Sequence, residues 1–144
     1  MKKVVARDIM ARKLITLSPD MGIYDAIDRL LSCKISGAPV VKHGKLVGIL
    51  SEKDCLNVLL QLVLHELPNS KPVSAYMTKD VRTIDEDLDI LSIGSLFVSK
   101  PYRRLPVVDD TGVLVGQISR RDVLAAIPKM RKKTSVYPDY RRPT

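Results

Sequence analysis

Aromatic residues and cysteines are scarce in this 144-residue chain, which has no tryptophan, one phenylalanine and two cysteines. Because aromatics make up only 4% of the chain, no platform for stacking nucleic-acid bases is visible. Cys33 and Cys55 form no CxxC motif and have no histidine at ligand spacing, so a metal site is not predicted. Both lie in apolar helical patterns, and we expect buried free thiols in a reducing cytoplasm.

Long apolar stretches are also missing from the chain. No run of about 18 apolar residues occurs, so no membrane span is predicted. The first five residues, Met1–Val5, are soon followed by Arg7 and Asp8 and lack the apolar segment of a secretory signal. We therefore expect a cytoplasmic protein.

Groups suited to catalysis are few. Catalysis would need a nucleophile with a base, paired carboxylates in distinct environments or a metal cluster. His43 lies in a predicted turn and His65 near a predicted helix end, while Asp109-Asp110 fits a turn better than a metal site. No glycine-rich phosphate loop of the Walker or Rossmann type is present. The sequence therefore does not predict an enzyme.

Positive charge is concentrated at one end of the chain. The net charge is +8, and residues 129–144 carry +5 of it because they include six basic residues and one acidic residue. Pro138 and Pro143 in this segment indicate a flexible tail. Such a tail can contact an anionic partner, but it is weak support for a nucleic-acid-binding domain.

The most informative pattern is an internal repeat. Gly-Ile-Leu-Ser-Glu-Lys-Asp at 48–54 returns as Gly-Gln-Ile-Ser-Arg-Arg-Asp at 116–122, each time after an apolar hairpin. A repeat of this period indicates one structural unit used twice. Units of roughly 60 residues are marginal alone, so we expect the two to share a core. Further matching positions are Met10 with Met77, Thr16 with Thr83, Asp20 with Asp87, Pro39 with Pro106 and Gly44 with Gly112.

The first unit reads as strand, helix, strand, strand and helix. Residues 14–17 predict a short strand, and Ser18-Pro19-Asp20 supplies a capping residue, a first-turn proline and an acid that favour a helix start. Residues 38–41 and 46–50 flank a turn and predict a hairpin. Ser36-Gly37 is expected to end the helix. The expected buried face of that helix contains Ile23, Ala26, Ile27, Leu30 and Leu31.

The second unit follows the same order. Residues 81–84 predict the strand, and Asp85-Glu86-Asp87 opens a helix that Lys100-Pro101 ends. Residues 105–108 and 113–118 predict the hairpin. The whole pattern indicates an α/β (α+β) fold built from two tandem β-α-β-β-α repeats. The expected domains are a first repeat at 1–67, a linker at 68–72, a second repeat at 73–128 and a basic tail at 129–144.

The closing helix of the first unit, predicted at 55–67, is apolar nearly all the way round. A helix of this kind must be covered on several sides. One small domain does not supply enough cover, so we expect a homodimer that uses this helix. Its apolar residues are Leu56, Val58, Leu59, Leu60, Leu62, Val63, Leu64 and Leu67.

The repeated Gly-x-x-Ser-x-x-Asp turn has two interpretations. As structure, Ser51 with Asp54, and Ser119 with Asp122, form a variant of the helix capping box. As a site, each helix N-terminus favours an anion, the serine can reach a phosphate or ribose, and the aspartate can accept two vicinal hydroxyls. Duplication preserves caps as well as sites, so repetition does not separate the interpretations. The second interpretation indicates a nucleoside that carries phosphate.

Together, the tandem units, their apolar Pro-Val-Val elements and their Gly-x-x-Ser-x-x-Asp turns resemble the CBS-domain pair, or Bateman module. The resemblance covers about residues 4–128. It implies repeats related by a pseudo-two-fold axis, with two clefts that can hold AMP, ADP, ATP or S-adenosylmethionine. It also implies a homodimer that regulates an enzyme or transporter, which here would act in trans.

The resemblance assigns residues to both clefts. The motif aspartates would hold ribose hydroxyls, the motif serines would lie near ribose or phosphate, and the basic residue two before the Pro-Val-Val proline would contact phosphate. Each cleft would also draw residues from the opposite repeat. The second cleft would contain Arg104, Ser119, Arg121, Asp122, Ile35 and Ser36. The first would contain Gly37, Ser51, Lys53, Asp54, Tyr102 and Arg103.

Charge distinguishes the two clefts. The second has arginines at 104, 120 and 121, where the first has Gly37, Glu52 and Lys53. Arginine–phosphate hydrogen bonds are charge-assisted and can engage two oxygens at once. We therefore expect the second cleft to take a phosphorylated ligand. The first would take a less charged one, such as a methylated nucleoside, or remain empty.

Two other functions stay open. The arginines and the basic tail are available to bind nucleic acid, which is the less favoured alternative because no recognition helix or stacking platform is visible. A structural adaptor that dimerises without a ligand is the other alternative, because helix capping alone accounts for both repeated turns.

Overall fold

The computed structural model of the chain describes residues 3–65 and 71–133. Residues 68–70 of the predicted linker and 134–144 of the predicted tail lie outside the described residues. The mixed α/β class is confirmed. In chain order the elements are α1 (Ala6–Ile9), α2 (Ile23–Cys33), β1 (Gly37–Lys42), β2 (Lys45–Ser51), α3 (Glu52–His65), a short 3₁₀ helix (Val73–Ala75), β3 (Ile84–Asp85), α4 (Ile90–Ser99), β4 (Arg104–Val108), β5 (Leu114–Ser119) and α5 (Arg120–Lys133).

Both predicted hairpins are confirmed, since β1 pairs with β2 and β4 with β5 in antiparallel fashion. The first hairpin turns at His43 and Gly44, whose φ angles of 51° and 79° are the left-handed values that a tight two-residue turn needs. The second turn is organised by Asp109, whose carboxylate accepts the N–H groups of Thr111 and Val113 at 2.9 and 3.1 Å.

The tips of the two hairpins pair with each other. The Leu46 N–H donates to the Gly112 carbonyl at 3.2 Å, and the Leu114 N–H donates to the Gly44 carbonyl at 3.0 Å. Gly44 and Gly112 are matching positions of the two repeats, and so are Leu46 and Leu114. The two hydrogen bonds therefore exchange under a pseudo-two-fold rotation, and the axis passes between the hairpin tips.

The segment that leads into each repeat pairs with the other repeat. Ala11 and Gln117, in β5, exchange backbone hydrogen bonds of 2.9 and 3.0 Å. At the equivalent place, Thr78 and Ile49, in β2, exchange two bonds of 2.9 Å. We call residues 5–11 and 72–78 the lead-in segments. Their exchange joins the repeats through main-chain hydrogen bonds.

The hydrophobic interior consists of two clusters rather than the single shared core that we expected. Each cluster nevertheless draws on both repeats, because the lead-in segments supply Val73 and Tyr76 to the first and Ala6 and Met10 to the second. Neither repeat completes its core alone, in keeping with its small size. The other buried members are Leu17, Ile23, Ala26, Leu30, Ala38, Val40, Leu50 and Val58 in the first cluster, and Ile84, Ile93, Phe97, Leu105, Val107 and Ile118 in the second.

The opening strand of each predicted unit is shorter than expected. Residues 14–17 contribute only a parallel bridge between Leu17 and Val40. In the second repeat, the equivalent segment forms β3, which has two residues and runs parallel to β4. The result is a two-stranded sheet in the first repeat and a three-stranded sheet, in the order β3-β4-β5, in the second.

The predicted starts of the two opening helices are wrong. α2 begins at Ile23 rather than in Ser18-Pro19-Asp20. α4 begins at Ile90 rather than in Asp85-Glu86-Asp87, and Asp89 caps it by accepting the Ser92 N–H at 2.9 Å. Both helices therefore begin several residues later than the local capping signals indicate.

Tertiary hydrogen bonds explain these late starts. The Ser74 N–H donates to the Pro19 carbonyl at 3.0 Å, and the Arg7 N–H donates to the Glu86 carbonyl at 2.9 Å. The residues before each helix therefore hold the lead-in segment of the other repeat. Their carbonyls bond to that segment, which local sequence signals do not reveal.

Two burial predictions at the α2 helix are also wrong. Leu31 is 69% exposed, because the helix buries only the face that contains Ile23, Ala26 and Leu30. Cys33 is exposed as the last residue of α2, where Lys34 turns the chain in a left-handed conformation with a φ of 55°. Cys55 is half-buried, and both thiols are free.

The closing helix of the first repeat leaves most of its apolar residues exposed. In α3, Val58 is buried at 5% exposure, but a row of leucines and a valine faces outward. No helix within the described ranges is both long and apolar enough to span a membrane. In the second repeat, α5 continues through Lys133, so the first residues of the predicted tail are helical. The exposed α3 face comprises Leu56, Leu59, Leu60, Leu62, Val63 and Leu64.

Candidate functional site

The first repeated turn joins β2 to α3 as a reciprocal capping box. The Ser51 N–H donates to Asp54 Oδ2 at 2.9 Å, and the Asp54 N–H donates to Ser51 Oγ at 3.1 Å. These bonds satisfy two donors that the helix start would otherwise leave free. The structural interpretation of this turn is therefore confirmed.

The second repeated turn has the same construction. The Ser119 N–H donates to Asp122 Oδ2 at 2.8 Å, the Ser119 hydroxyl donates to the same oxygen at 3.0 Å, and the Asp122 N–H donates to Ser119 Oγ at 3.3 Å. Within the described ranges, no donor contacts Asp122 Oδ1. An ionised carboxylate offers about four acceptor positions, so capping leaves room for a ligand. Capping and ligand binding are thus compatible.

The two motif aspartates differ in one contact. The Thr78 hydroxyl donates to Asp54, at 3.1 Å from Oδ1 and 3.3 Å from Oδ2. The position equivalent to Thr78 is Ala11, whose methyl group cannot donate a hydrogen bond. The pseudo-symmetry of the two turns is therefore broken by residues of the lead-in segments.

Arg104 extends from the second repeat to the first. Its Nη2 donates to Ser36 Oγ, so the structure brings these two predicted residues together. Gly37 makes this approach possible, because a Cβ at that position would lie 3.2 Å from Arg104 Cζ and 3.0 Å from the Leu50 carbonyl oxygen. The arginine thus crosses from β4 to the start of β1.

Arg104 also belongs to the second turn. It is the direct cross-strand partner of Ser119 in the β4–β5 ladder, and directly opposed residues project from the same face of a sheet. Gly37 is the equivalent partner of Ser51 in the first repeat. Arg104 therefore starts beside the serine turn of the second repeat, and its guanidinium reaches the space over Gly37 that a side chain of the first repeat would otherwise fill.

The environment of Arg104 favours an anion. Burial, followed by the nearby charge of Arg103, lowers the pKa of Arg104, while Glu52 acts in the opposite direction. The salt bridges found within the described ranges belong to Arg7, so Arg104 has no carboxylate partner there. A partly desolvated cation that forms no salt bridge is unfavourable, and a bound anion would relieve that penalty.

The other predicted site residues lie around these groups. Lys53, Arg103 and Arg121 are exposed. Ile35 packs against the first core and Tyr102 against the second. The assignment of these five residues to particular clefts stays a prediction.

Residues of the lead-in segments were not predicted from the sequence as part of the site. Their main chain and methionines pass directly over the glycines of the repeated turns. A Cβ at Gly48 would lie 2.8 Å from Met77 Sδ, and a Cβ at Gly116 would lie 2.5 Å from Met10 Sδ. The repeat pattern could have indicated this contact between methionine and glycine, because Met10 matches Met77 just as Gly48 matches Gly116.

Comparison with known sequences agrees with this architecture. A family model described as "CBS domain" matches residues 6–61 and 73–129. Uncharacterized protein MJ1426 of Methanocaldococcus jannaschii is 35% identical, over 86% of this chain and 91% of its own length. Inosine-5'-monophosphate dehydrogenase of the same organism is 35% identical over 83% of this chain. The match covers only 23% of that enzyme, so the chain spans less than a quarter of its length.

Solved structures show the same arrangement. CBSX2, a CBS-pair protein of Arabidopsis thaliana, in complex with AMP superposes with a TM-score of 0.77 and is 27% identical, over 89% of this chain and 98% of that one. The CBS domain pair of protein MJ0100, in complex with 5'-methylthioadenosine and S-adenosyl-L-methionine, has a TM-score of 0.72 and 28% identity, over 90% and 99%. The two matched copies and the exchanged pseudo-two-fold architecture show that the chain belongs to the CBS-domain family, as a tandem CBS pair.

Proposed function

We propose that this chain is a regulatory module that binds an adenosine-containing ligand in the clefts between its two repeats. The observation that carries the proposal is the position of Arg104, a half-buried arginine without a carboxylate partner, directly opposite Ser119. One face of the second repeat thus offers a cation for phosphate and a free aspartate oxygen for ribose. The AMP complex of CBSX2 supports a ligand of this chemistry.

In the second cleft, the geometry supports the following proposed roles. Arg104 holds the phosphate, with Arg121 at the exposed rim. Ser119 lies between phosphate and ribose, and Asp122 accepts ribose hydroxyls through Oδ1 while Oδ2 keeps its capping bonds. Ile35 and Ser36 complete the cleft from the first repeat. AMP, ADP and ATP all present these groups.

The first cleft is proposed to take a less charged ligand. Gly37 replaces the arginine opposite Ser51, so the first repeat supplies no cation of its own opposite this serine, and the Arg104 guanidinium that reaches Gly37 comes from the second repeat. Asp54 remains available for ribose, and Lys53, Tyr102 and Arg103 are the proposed surrounding residues. The pair of ligands in MJ0100, 5'-methylthioadenosine and S-adenosyl-L-methionine, supports nucleosides without phosphate as candidates.

Regulation is proposed to act on a partner in trans, such as an enzyme or transporter, rather than on catalysis by this chain. A ligand shifts the arrangement of the two repeats only by its differential affinity for the alternatives. The exposed α3 face and the exposed residues Leu124 and Ile127 of α5 are apolar surface. Exposed apolar patches often mark interfaces, so this surface supports a homodimer in which a second copy buries it. The exposed free thiol of Cys33 supports a reducing, cytoplasmic location.

A thermal-shift panel tests the proposal. AMP, ADP, ATP and S-adenosylmethionine are added to the protein, and saturation at about 100 times the dissociation constant stabilises the fold by roughly 2.7 kcal/mol. Arg104→Ala should weaken AMP binding far more than adenosine binding, because only AMP carries the phosphate. Arg103→Ala is the matched control, an exposed neighbour that should change AMP binding much less.

The alternatives predict different results. If none of these compounds raises the melting temperature, the ligand proposal is wrong and an adaptor remains. If an oligonucleotide binds instead, with affinity that falls steeply as salt rises, the arginines serve a nucleic-acid backbone.

A further inference from the structure

We infer that Thr78 and Ala11 determine how strongly each cleft binds a ribose diol, with Thr78 weakening the first cleft and Ala11 leaving the second open. The inference rests on the proposed function, because it concerns the sugar of the same ligand. It names two residues outside the repeated turns as specificity determinants. Each acts from a lead-in segment on the aspartate of the other repeat.

In the first cleft, Thr78 competes for the carboxylate that a ribose needs. Its hydroxyl lies 3.1 Å from Asp54 Oδ1 and 3.3 Å from Oδ2, and Oδ2 also accepts the Ser51 N–H at 2.9 Å. A ribose presents two vicinal hydroxyls that an acidic side chain accepts together. Both oxygens of Asp54 already have donors in this structure. Thr78 takes one of the two acceptor positions of Oδ1, so a diol that places both hydroxyls on this oxygen, as proposed at Asp122, displaces the threonine hydroxyl.

In the second cleft, this competition is absent. All the hydrogen bonds to the Asp122 carboxylate within the described ranges come from Ser119 and converge on Oδ2. Ala11 occupies the equivalent position in the lead-in segment and brings no hydroxyl. Oδ1 is thus open, and a ribose hydroxyl can bind it without breaking a protein hydrogen bond.

The main chain at the two positions is equivalent, so the difference lies in the side chains. Ala11 exchanges two hydrogen bonds with Gln117, and Thr78 exchanges two with Ile49, at distances between 2.9 and 3.0 Å. Both residues are exposed. A threonine at position 11 would therefore have space, and its hydroxyl would reach Asp122 as Thr78 reaches Asp54.

Isothermal titration calorimetry with one cleft disabled at a time tests the inference. The Asp54→Ala background isolates the second cleft, which is titrated with AMP, and the Asp122→Ala background isolates the first, which is titrated with adenosine. Ala11→Thr should weaken AMP binding about tenfold, in the range expected for one hydrogen bond to a charged group. Thr78→Val, which keeps the shape and removes the hydroxyl, should strengthen adenosine binding about tenfold.

Two controls separate hydrogen bonding from bulk. Ala11→Val adds a branched side chain of similar shape without a hydroxyl. Because it cannot donate to Asp122, it should change AMP affinity less than about threefold, whereas Ala11→Thr should change it about tenfold. With 2'-deoxy-AMP, the effect of Ala11→Thr should shrink, because this probe has one hydroxyl fewer to place on Asp122. Melting temperatures of all variants report whether they fold.

The outcomes are distinguishable. Equal losses for Ala11→Thr and Ala11→Val, or unchanged adenosine affinity in Thr78→Val, would overturn this inference and leave the proposed function in place. If AMP and adenosine fail to bind the unsubstituted protein, the proposed function is wrong, and the inference falls with it.

Discussion

Replacing Asp122 with alanine separates the two roles of this residue, which caps α5 and is proposed to hold a ribose. In the folded protein, Oδ2 accepts the Ser119 N–H and hydroxyl at 2.8 and 3.0 Å. Loss of a capping side chain typically costs about 1 kcal/mol. For a chain of this length, that loss lowers the melting temperature by roughly 4 °C. We therefore expect a folded but slightly less stable protein.

The ligand response should change far more than the stability. Saturating AMP stabilises the unsubstituted protein by about 2.7 kcal/mol at 100 times its dissociation constant, which corresponds to a rise of roughly 10 °C. Asp122→Ala should remove this rise, because the ribose loses its acceptor. Asp54→Ala is the matched control, since it removes the equivalent capping bond at 2.9 Å from Ser51. It should keep the AMP response, because the ribose of AMP is proposed to bind Asp122, whose Oδ1 accepts no donor within the described ranges, and not Asp54.

Differential scanning fluorimetry with and without AMP measures both effects in the same samples, and calorimetry gives the dissociation constants. A full AMP response in Asp122→Ala together with its loss in Asp54→Ala would mean that the phosphorylated ligand occupies the first cleft. A full response in both variants would refute the role of the motif aspartates. Unfolding of Asp122→Ala would show that capping contributes far more than the local hydrogen bonds indicate.

Three further predictions concern other parts of the molecule. Leu64→Glu places a charge on the exposed α3 face and should convert the proposed homodimer to a monomer in light scattering; an unchanged mass would contradict this interface. Near neutral pH, an alkylating reagent should modify the exposed Cys33 before Cys55, because burial and nearby acids raise the pKa of the Cys55 thiol and leave less thiolate; equal rates would contradict this order. Asp89→Ala should lower stability near neutral pH but not in strong acid, as pH-dependent unfolding would show. Hydrogen bonds from Ser92 lower the pKa of Asp89, so its stabilising effect, present above the ordinary carboxylate pKa, is lost as pH falls through the lowered value; a pH-independent loss would argue against this cap.

Contacts between near neighbours in the chain explain which features were predictable. The first hairpin depends on two adjacent residues, His43 and Gly44, that adopt left-handed conformations. Each repeated turn depends on a serine and an aspartate three residues apart. Signals of this kind lie within short windows of sequence, so the hairpins and the capped starts of α3 and α5 followed from the residues alone.

Contacts between distant residues explain the errors. Ser18-Pro19-Asp20 has the residue types that favour a helix start. The Pro19 carbonyl instead accepts the N–H of Ser74 in the second lead-in segment, and α2 begins later. Cys33 follows the apolar periodicity of α2, yet it lies at the exposed helix end. Neither outcome depends on residues close enough in sequence to be read from a helical pattern.

The order of residues alone determined that one structural unit occurs twice, that a capped helix follows each hairpin, and that arginines collect beside the second turn. These properties need only periodicity, spacing and charge. Only the tertiary structure decided which lead-in segment packs against which repeat. That packing places the Thr78 hydroxyl on Asp54. The residue equivalent to Thr78 is Ala11, which brings no hydroxyl to Asp122. The physical reason is that this exchange depends on methionines packing over Gly48 and Gly116 across the pseudo-two-fold axis, between residues far apart in the chain.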